Sequence, residues 1–134
     1  MIEFAVVAPV LALAAVGIVD YGIGLYTQFQ VRIAAQAGSA YAAGSGLDQT
    51  GIASAMRSAT SLSSLDTSTA STQTCGCPGT TGITTATCGT TCASGLSGSK
   101  YLTVTAKASY ATLIKYPGVP QNYQFTSVSL VRIP

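Results

Sequence analysis

Residues 4–19 read FAVVAPVLALAAVGIV, an uncharged and apolar stretch of 16 residues between Glu3 and Asp20. As an α-helix this stretch would be about 24 Å long, whereas a helix that crosses a bilayer usually contains about 20 apolar residues. The sequence from residue 21 to residue 31 is also uncharged. The stretch therefore predicts a helix that lies in a membrane or packs among other apolar helices.

The same helix is predicted to continue to residue 43. No proline follows Pro9 in this part of the chain, and the segment Gly44-Ser45-Gly46 is typical of a helix end. The helix would be about 60 Å long, which is more than a small head can bury, so we expect it to protrude. The chain thus divides into an N-terminal helix, residues 1–43, and a globular head, residues 44–134.

Charged residues are rare in the whole chain. Its 134 residues include six Lys or Arg, four Asp or Glu and no His, so that 7% are charged against about 25% in an ordinary domain. Without His, the catalytic pairs and metal sites that depend on His are excluded. A net charge of +2 without a basic cluster argues against nucleic-acid binding. We expect no catalytic residue, no metal site, no cofactor and no enzymatic activity.

The start of the chain does not resemble a secretory signal peptide. No Lys or Arg precedes the apolar stretch, and the acidic Glu3 does. Two interpretations remain open: the helix is a simple transmembrane anchor, or it belongs to a processed subunit and moves from the membrane into a protein assembly.

Residues 49–65 predict a short amphipathic helix. Asp48 or Thr50 could cap its start, and its apolar residues recur at helical spacing. The stripe that is expected to pack on the core of the head consists of Ile52, Met56, Ala59, Leu62 and Leu65.

Ser and Thr make up 20 of the 40 residues from 60 to 99, which also hold all four cysteines. Because this composition builds little apolar core, residues 67–99 are expected to form a loop that disulfide bonds hold in place. The cysteines are Cys75, Cys77, Cys88 and Cys92. A zinc site of four thiolates is disfavoured, because the C-x-C and C-x3-C spacings differ from the usual C-x2-C.

A disulfide between Cys75 and Cys77 would close too small a ring, which leaves two pairings. One joins Cys75 to Cys88 and Cys77 to Cys92, and the other is nested, with Cys75 joined to Cys92 and Cys77 to Cys88. We favour the nested pairing, since it would staple a hairpin-like loop.

Residues 100–111 and 123–133 alternate between apolar and polar side chains and predict two long strands. The proline-containing segment between them predicts a connecting loop, so the strands are expected to form an antiparallel sheet. The predicted fold class is therefore α+β. It combines a long protruding apolar helix with a small head made of a short helix, a disulfide-stapled loop and a C-terminal sheet.

Glu3 is a candidate for an assembly contact, together with Met1 and Phe4. A carboxylate beside a helix that packs among copies of itself is costly unless it is paired. The nearest cation is the α-amino group of Met1, which is charged below its pKa of about 7.7–8.0. We therefore expect Glu3 to neutralise the amine of its own chain or of a neighbouring subunit.

Further residues are candidates for packing among the helices of several copies. Pro9 should loosen the first turns, while small residues allow close approach of a second helix or let the helix melt locally. The small residues are Gly17, Gly22 and Gly24. Asp20 either pairs with Arg32 of another subunit or marks the edge of the apolar zone.

Three segments resemble the TadE-like family, pilin-related subunits of tight-adherence (type IVc, Flp-type) pilus systems. They are IEFAVVAPVLALAAVGIVDYG, AAQAGSAYAAG, and the C-terminal YLTVTAKASY with FTSVSLVRI. The pair Glu3-Phe4 matches the Glu-Tyr/Phe signature that follows the cleavage site in Flp-type pilins, in third rather than fifth position. The resemblance implies a pilin-like fold and an inner-membrane precursor that a prepilin peptidase cleaves. It also implies inner-membrane assembly machinery, and partners that are copies of the chain or other pilins in an extracellular pilus.

The sequence thus favours a structural subunit that polymerises through its helix and serves surface adhesion, as the repeating pilin or as a minor, priming pseudopilin. The alternative is a membrane-anchored adhesive module that forms no filaments. Its recognition surface would use tyrosines and the loop at residues 116–120, although a simple turn explains that loop as well. The tyrosines are Tyr101, Tyr110, Tyr116 and Tyr123.

Overall fold

The structure, a computed structural model, describes residues 2–68, 71–80, 82–115 and 118–134, without the side chains of Ile2 and Glu3. Two helices precede the strands in the chain. The helices are α1 (Ile2–Ser45) and α2 (Gln49–Ser58). The strands are β1 (Leu65–Asp66), β2 (Ser71–Gly79), β3 (Gly82–Thr85), β4 (Ser99–Ala111) and β5 (Asn122–Ile133). The predicted α+β fold class is confirmed.

The sheet is antiparallel and centred on β4. One edge of β4 pairs with β1 and β2, and β3 extends the sheet beyond β2. The other edge pairs with β5 in an unbroken register from Lys100↔Ile133 to Ala111↔Asn122. β4 and β5 are the two strands that alternation predicted, with bounds that differ by one residue.

The prediction that residues 67–99 form a loop is wrong for β2 and β3. β2 pairs with β4 from Ser71↔Val104 to Gly76↔Ser99, and β3 forms a hairpin with β2. Thr is a good strand former, and the backbone of β4 supplies the hydrogen-bond partners that β2 needs. A strand at this position requires little apolar surface of its own, so composition alone did not reveal it.

The end of α1 agrees with the predicted glycine-rich stop. Gly46 has a φ of +70°, and its N–H donates to the carbonyl of Ala42 at 2.9 Å. A positive φ suits glycine, because it has no Cβ that would clash in the left-handed region.

α2 begins where the sequence indicated and ends earlier. Asp48 is the N-cap, and its Oδ1 accepts the N–H of Gly51 at 3.1 Å. The helix stops at Ser58 rather than at residue 65. Just beyond it, the hydroxyl of Thr60 accepts the N–H of Leu62 at 3.0 Å, a local bond that competes with helical bonding.

The second half of α1 packs against α2 and the sheet. Its buried stripe recurs every three or four residues and is made of small side chains, which bring the helix close to β4. The stripe includes Thr27, Val31, Ala34, Ala35, Gly38 and Ala42. Opposite it lie the buried side chains Ile52, Met56, Leu102, Val104, Ala106 and Ala108. The predicted apolar face of β4 is therefore the face that meets the helix.

The first half of α1 is largely uncovered. α1 continues through Pro9, and most side chains from residue 4 to residue 19 are exposed. In the described part of the chain, α1 is the one helix that is long and apolar enough to cross a membrane.

Candidate functional site at the junction of helix and head

Asp20 marks the point on α1 at which contact with the head begins. Only 7% of its surface is exposed. Its Oδ1 accepts the hydroxyl of Tyr110, near the end of β4, and the N–H of Leu113 at 3.1 Å. Asp20 thus closes the apolar stretch and joins it to the C-terminal end of β4.

Within one chain, the described partners of Asp20 are Tyr110 and Leu113, whereas a pairing of Asp20 with Arg32 of another subunit stays a prediction. The donors lie 90 and 93 residues away in sequence. No local pattern connects positions so far apart, so this contact could not be read from the sequence.

The acceptor Asp20 changes the acidity of Tyr110. The hydrogen bond to the carboxylate, together with partial burial and the negative charge of Asp20, raises the pKa of Tyr110 to about 12. The neutral phenol is favoured in the folded head, because ionisation would remove the donated proton and place two anions together.

We expect Tyr110 to ionise near pH 12, above the ordinary tyrosine value of about 10. Because the pKa of Tyr110 is higher in the folded state than the unfolded value of about 10, its contribution to stability is complete below pH 10. It is lost as the pH rises towards about 12. Tyrosinate absorbance in detergent solution measures the titration. Tyr110→Phe should remove the step near pH 12, and a titration curve that this substitution leaves unchanged there would contradict the prediction.

A groove of about 460 Å³ lies beside this contact, between α1 and the ends of β4 and β5. Much of its wall is aromatic, and small residues of α1 form part of the helix side. The aromatic residues are Tyr21, Tyr110, Tyr123 and Phe125, and the glycines are Gly17 and Gly24. The groove is continuous with the last turn of the apolar stretch.

The glycines of α1 differ in their surroundings. A Cβ on Gly24 would lie 3.8 Å from the ring of Tyr110, so Gly24 packs within the chain. A Cβ on Gly22 would meet nothing within 4 Å, which leaves this position open to a neighbouring molecule. The sequence did not indicate that Gly38 is a position of close packing. A Cβ on Gly38 would lie 2.7 Å from Met56 Cγ and 2.9 Å from Val104 Cγ1.

The remaining predicted assembly residues lie at the exposed start of α1. Phe4 and Pro9 are exposed. Met1 and the side chain of Glu3 fall outside the described residues, so the pairing of Glu3 with an α-amino group stays a prediction.

The four cysteines form two disulfides, Cys75–Cys88 and Cys77–Cys92, with Cα–Cα distances of 5.1 and 5.6 Å. The preference for the nested pairing is therefore wrong. Because every thiol is used in a disulfide, the alternative of a zinc site with four thiolates is excluded as well.

The register of the β2–β3 hairpin explains the pairing. Ala86 donates its N–H to the carbonyl of Cys75 at 3.0 Å, and Cys88 follows two residues later. Cys77 lies opposite Thr84, which is four residues before Cys88. The hairpin therefore places Cys88 close to Cys75, and Cys77 pairs with the remaining cysteine, Cys92.

Residues 1–40 match the family described as TadE-like protein. The predicted resemblance to the TadE-like family is confirmed over this segment. Comparison of the chain with curated proteins and with solved structures finds no match.

The match to the TadE-like family covers most of α1, both the exposed stretch at residues 4–19 and much of the part that packs against the head. α1, which contains nearly all of the matched segment, is apolar and long enough for membrane anchoring. Sequence reasoning found this segment because its signal is local, whereas the Asp20–Tyr110 contact and the close approach at Gly38 depend on the folded head.

Proposed function

We propose that this protein is a structural pilin-like subunit that polymerises through the first half of α1 into an extracellular type IVc (Tad) pilus and serves surface adhesion. The observation that carries the proposal is the exposed apolar surface of residues 4–19. The matched TadE-like segment covers the same residues. Before assembly the helix is held in the inner membrane, and in the pilus it is surrounded by copies of itself or by other pilins.

The energetic argument rests on uncovered side chains. Full burial of one Val, Leu or Phe side chain contributes about 1.5–3 kcal/mol. Large apolar residues that are mostly exposed in this half of the helix include Phe4, Val6, Val10, Leu11, Leu13 and Ile18. Lipid tails or neighbouring helices can cover this surface, and the head of the same chain covers almost none of it.

The head fits the outside of such an assembly. Its hairpin is rich in Ser and Thr, almost uncharged, and held by two disulfides, which are stable in oxidising compartments outside the cytosol. Within the proposal, Glu3 pairs with the amine of Met1 and sets the register between subunits. A prepilin peptidase and inner-membrane assembly machinery process and deliver the chain.

Leu11→Lys is expected to keep the chain out of filaments while the head stays folded. Leu11 is 60% exposed and lies near the middle of the apolar stretch, where a Lys costs about 2.5–3.5 kcal/mol in a membrane. The matched control is Leu96→Lys in the head, because Leu96 is 59% exposed. The measurement is electron microscopy of sheared filaments with peptide identification, in cells that carry a tight-adherence pilus system.

We expect the wild-type chain and Leu96→Lys in the filament fraction, and Leu11→Lys only as unassembled protein with both disulfides intact. The ratio of this chain to the main filament protein distinguishes a repeating pilin from a minor priming subunit. Recovery of the wild-type chain from membranes but never from filaments would refute polymerisation and favour the membrane-anchored adhesive module.

A further inference from the structure

The loop that joins β4 to β5 lies beside the apolar stretch of α1. We define the junction loop as residues 112–115 and 118–121. Its base is closed by the N–H of Thr112, which donates to the carbonyl of Gln121 at 2.9 Å. Leu113 donates its N–H to Asp20, and Val119 lines the groove together with Gly17. The loop is therefore level with the helix turn at residues 17–20.

The junction loop exposes several apolar side chains to the surroundings. Leu113 is 61% exposed, Val119 43% and Ile114 38%, and the neighbouring Lys115 is exposed as well. Single apolar residues on a surface are ordinary. Here three of them share one loop, and that loop adjoins a helix surface that is itself apolar and uncovered.

The length of the apolar stretch indicates what covers this loop. The 16 residues from 4 to 19 span about 24 Å, whereas the hydrocarbon core of a bilayer is about 30 Å thick. A bilayer whose hydrocarbon core begins at the level of Phe4 therefore extends beyond Val19 to the level of Asp20. The carboxylate of Asp20 can lie at that depth, because Tyr110 and Leu113 donate to it.

We propose that the junction loop is a second membrane contact, in which Leu113, Ile114 and Val119 enter the boundary between headgroups and acyl chains. The inference rests on the proposed membrane-anchored state of α1. Lys115 then lies near lipid phosphates, and the exposed ring of Tyr21 lies at headgroup level, where Tyr is enriched. The loop and the helix together fix the depth and orientation of the head on the bilayer before assembly.

Single tryptophans can test this contact, because the chain contains no Trp. The full-length variants Leu113→Trp, Ile18→Trp and Leu96→Trp are reconstituted in vesicles of phosphatidylcholine and phosphatidylglycerol, with and without acyl-brominated phosphatidylcholine. Ile18 reports on the helix. Leu96 is the control position in the head. Its neighbour Ser97 lies beside Ala43 of α1, and Ala43 is about 35 Å along the helix from Asp20.

We expect brominated lipid to quench roughly half or more of the emission of Leu113→Trp and Ile18→Trp, since side chains about 5–10 Å deep reach the bromine atoms. Leu96→Trp should keep its emission. Val119→Trp provides a second probe if the first variant fails to form both disulfides. Lys115→Glu, added to Leu113→Trp, should reduce quenching in anionic vesicles.

The outcomes separate this proposal from the one on which it rests. If Ile18→Trp is quenched while neither loop probe is quenched, the helix is in the bilayer and the loop contact is refuted. A loop probe with blue-shifted emission but no quenching is covered by protein, such as a second copy, and also refutes the contact with lipid. If Ile18→Trp is not quenched, the membrane-anchored state itself is wrong.

Discussion

Tyr110→Phe is expected to destabilise the head by about 2–3 kcal/mol. The substitution removes the hydroxyl that donates to the buried carboxylate of Asp20 and leaves the rest of the ring in place. Hydrogen bonds to charged groups contribute about 1.5–3 kcal/mol, and an incompletely paired buried charge is costly. The N–H of Leu113 remains as a donor, which limits the loss. Chemical unfolding of the full chain in detergent, followed by circular dichroism, measures the change.

Tyr123→Phe is the matched control for this prediction. Tyr123 lies directly opposite Tyr110 in the β4–β5 pair and lines the same groove. We expect a change within about 0.5 kcal/mol, as is usual for a surface substitution. Equal effects of the two variants would show that the contact with Asp20 adds nothing to stability.

Gly38→Val is expected to destabilise the head by about 3 kcal/mol or to displace α1 from the sheet. A Cβ at this position would lie 2.7 Å from Met56 Cγ and 2.9 Å from Val104 Cγ1, both of which belong to fully buried side chains. Added atoms in a packed core force neighbours from their preferred rotamers, at a typical cost of about 1–3 kcal/mol. Val104 is β-branched and held in β4, so it has little freedom to move.

Gly44→Val is the control for the effect of Val in a helix. A Cβ on Gly44 would meet nothing within 4 Å, and the residue lies in the last turn of α1. Because this variant lacks the clash, we expect it to change the free energy of unfolding by no more than about 0.5 kcal/mol. The same unfolding measurement compares both variants, and a Gly38→Val head as stable as Gly44→Val would contradict the close packing.

Much of the architecture follows from local patterns in the sequence. The uncharged run at residues 4–19 indicates the apolar helix, Gly46 its end, and Asp48 the cap of the next helix. Alternation indicates β4 and β5. Each of these signals acts between residues a few positions apart, where helical or strand geometry is the same in every fold. For that reason these bounds differ little from the predicted ones, whereas the end of α2 lies at Ser58 instead of residue 65.

β2, β3 and the disulfide pairing depend on contacts that sequence patterns do not carry. The strand β2 forms because β4 offers it an edge, and the register of the β2–β3 hairpin then decides that Cys88 meets Cys75. The composition of this region, half Ser and Thr, is equally compatible with a loop. Spacing alone left both pairings possible.

The sequence by itself determined that this protein carries a long apolar helix on a small, nearly uncharged, disulfide-bonded head, because hydrophobic runs and periodicity act along the chain. Only the tertiary structure decided at which residue the exposed part of the helix ends and its packing against the head begins. That point is Asp20, which accepts hydrogen bonds from Tyr110 and Leu113. Further along α1, Gly38 allows the helix to pack closely against Met56 and Val104. These contacts join residues that are far apart in sequence. The free energy of burying the charge of Asp20 or of packing the core at Gly38 depends on all of these residues together, so it arises only when the head has folded.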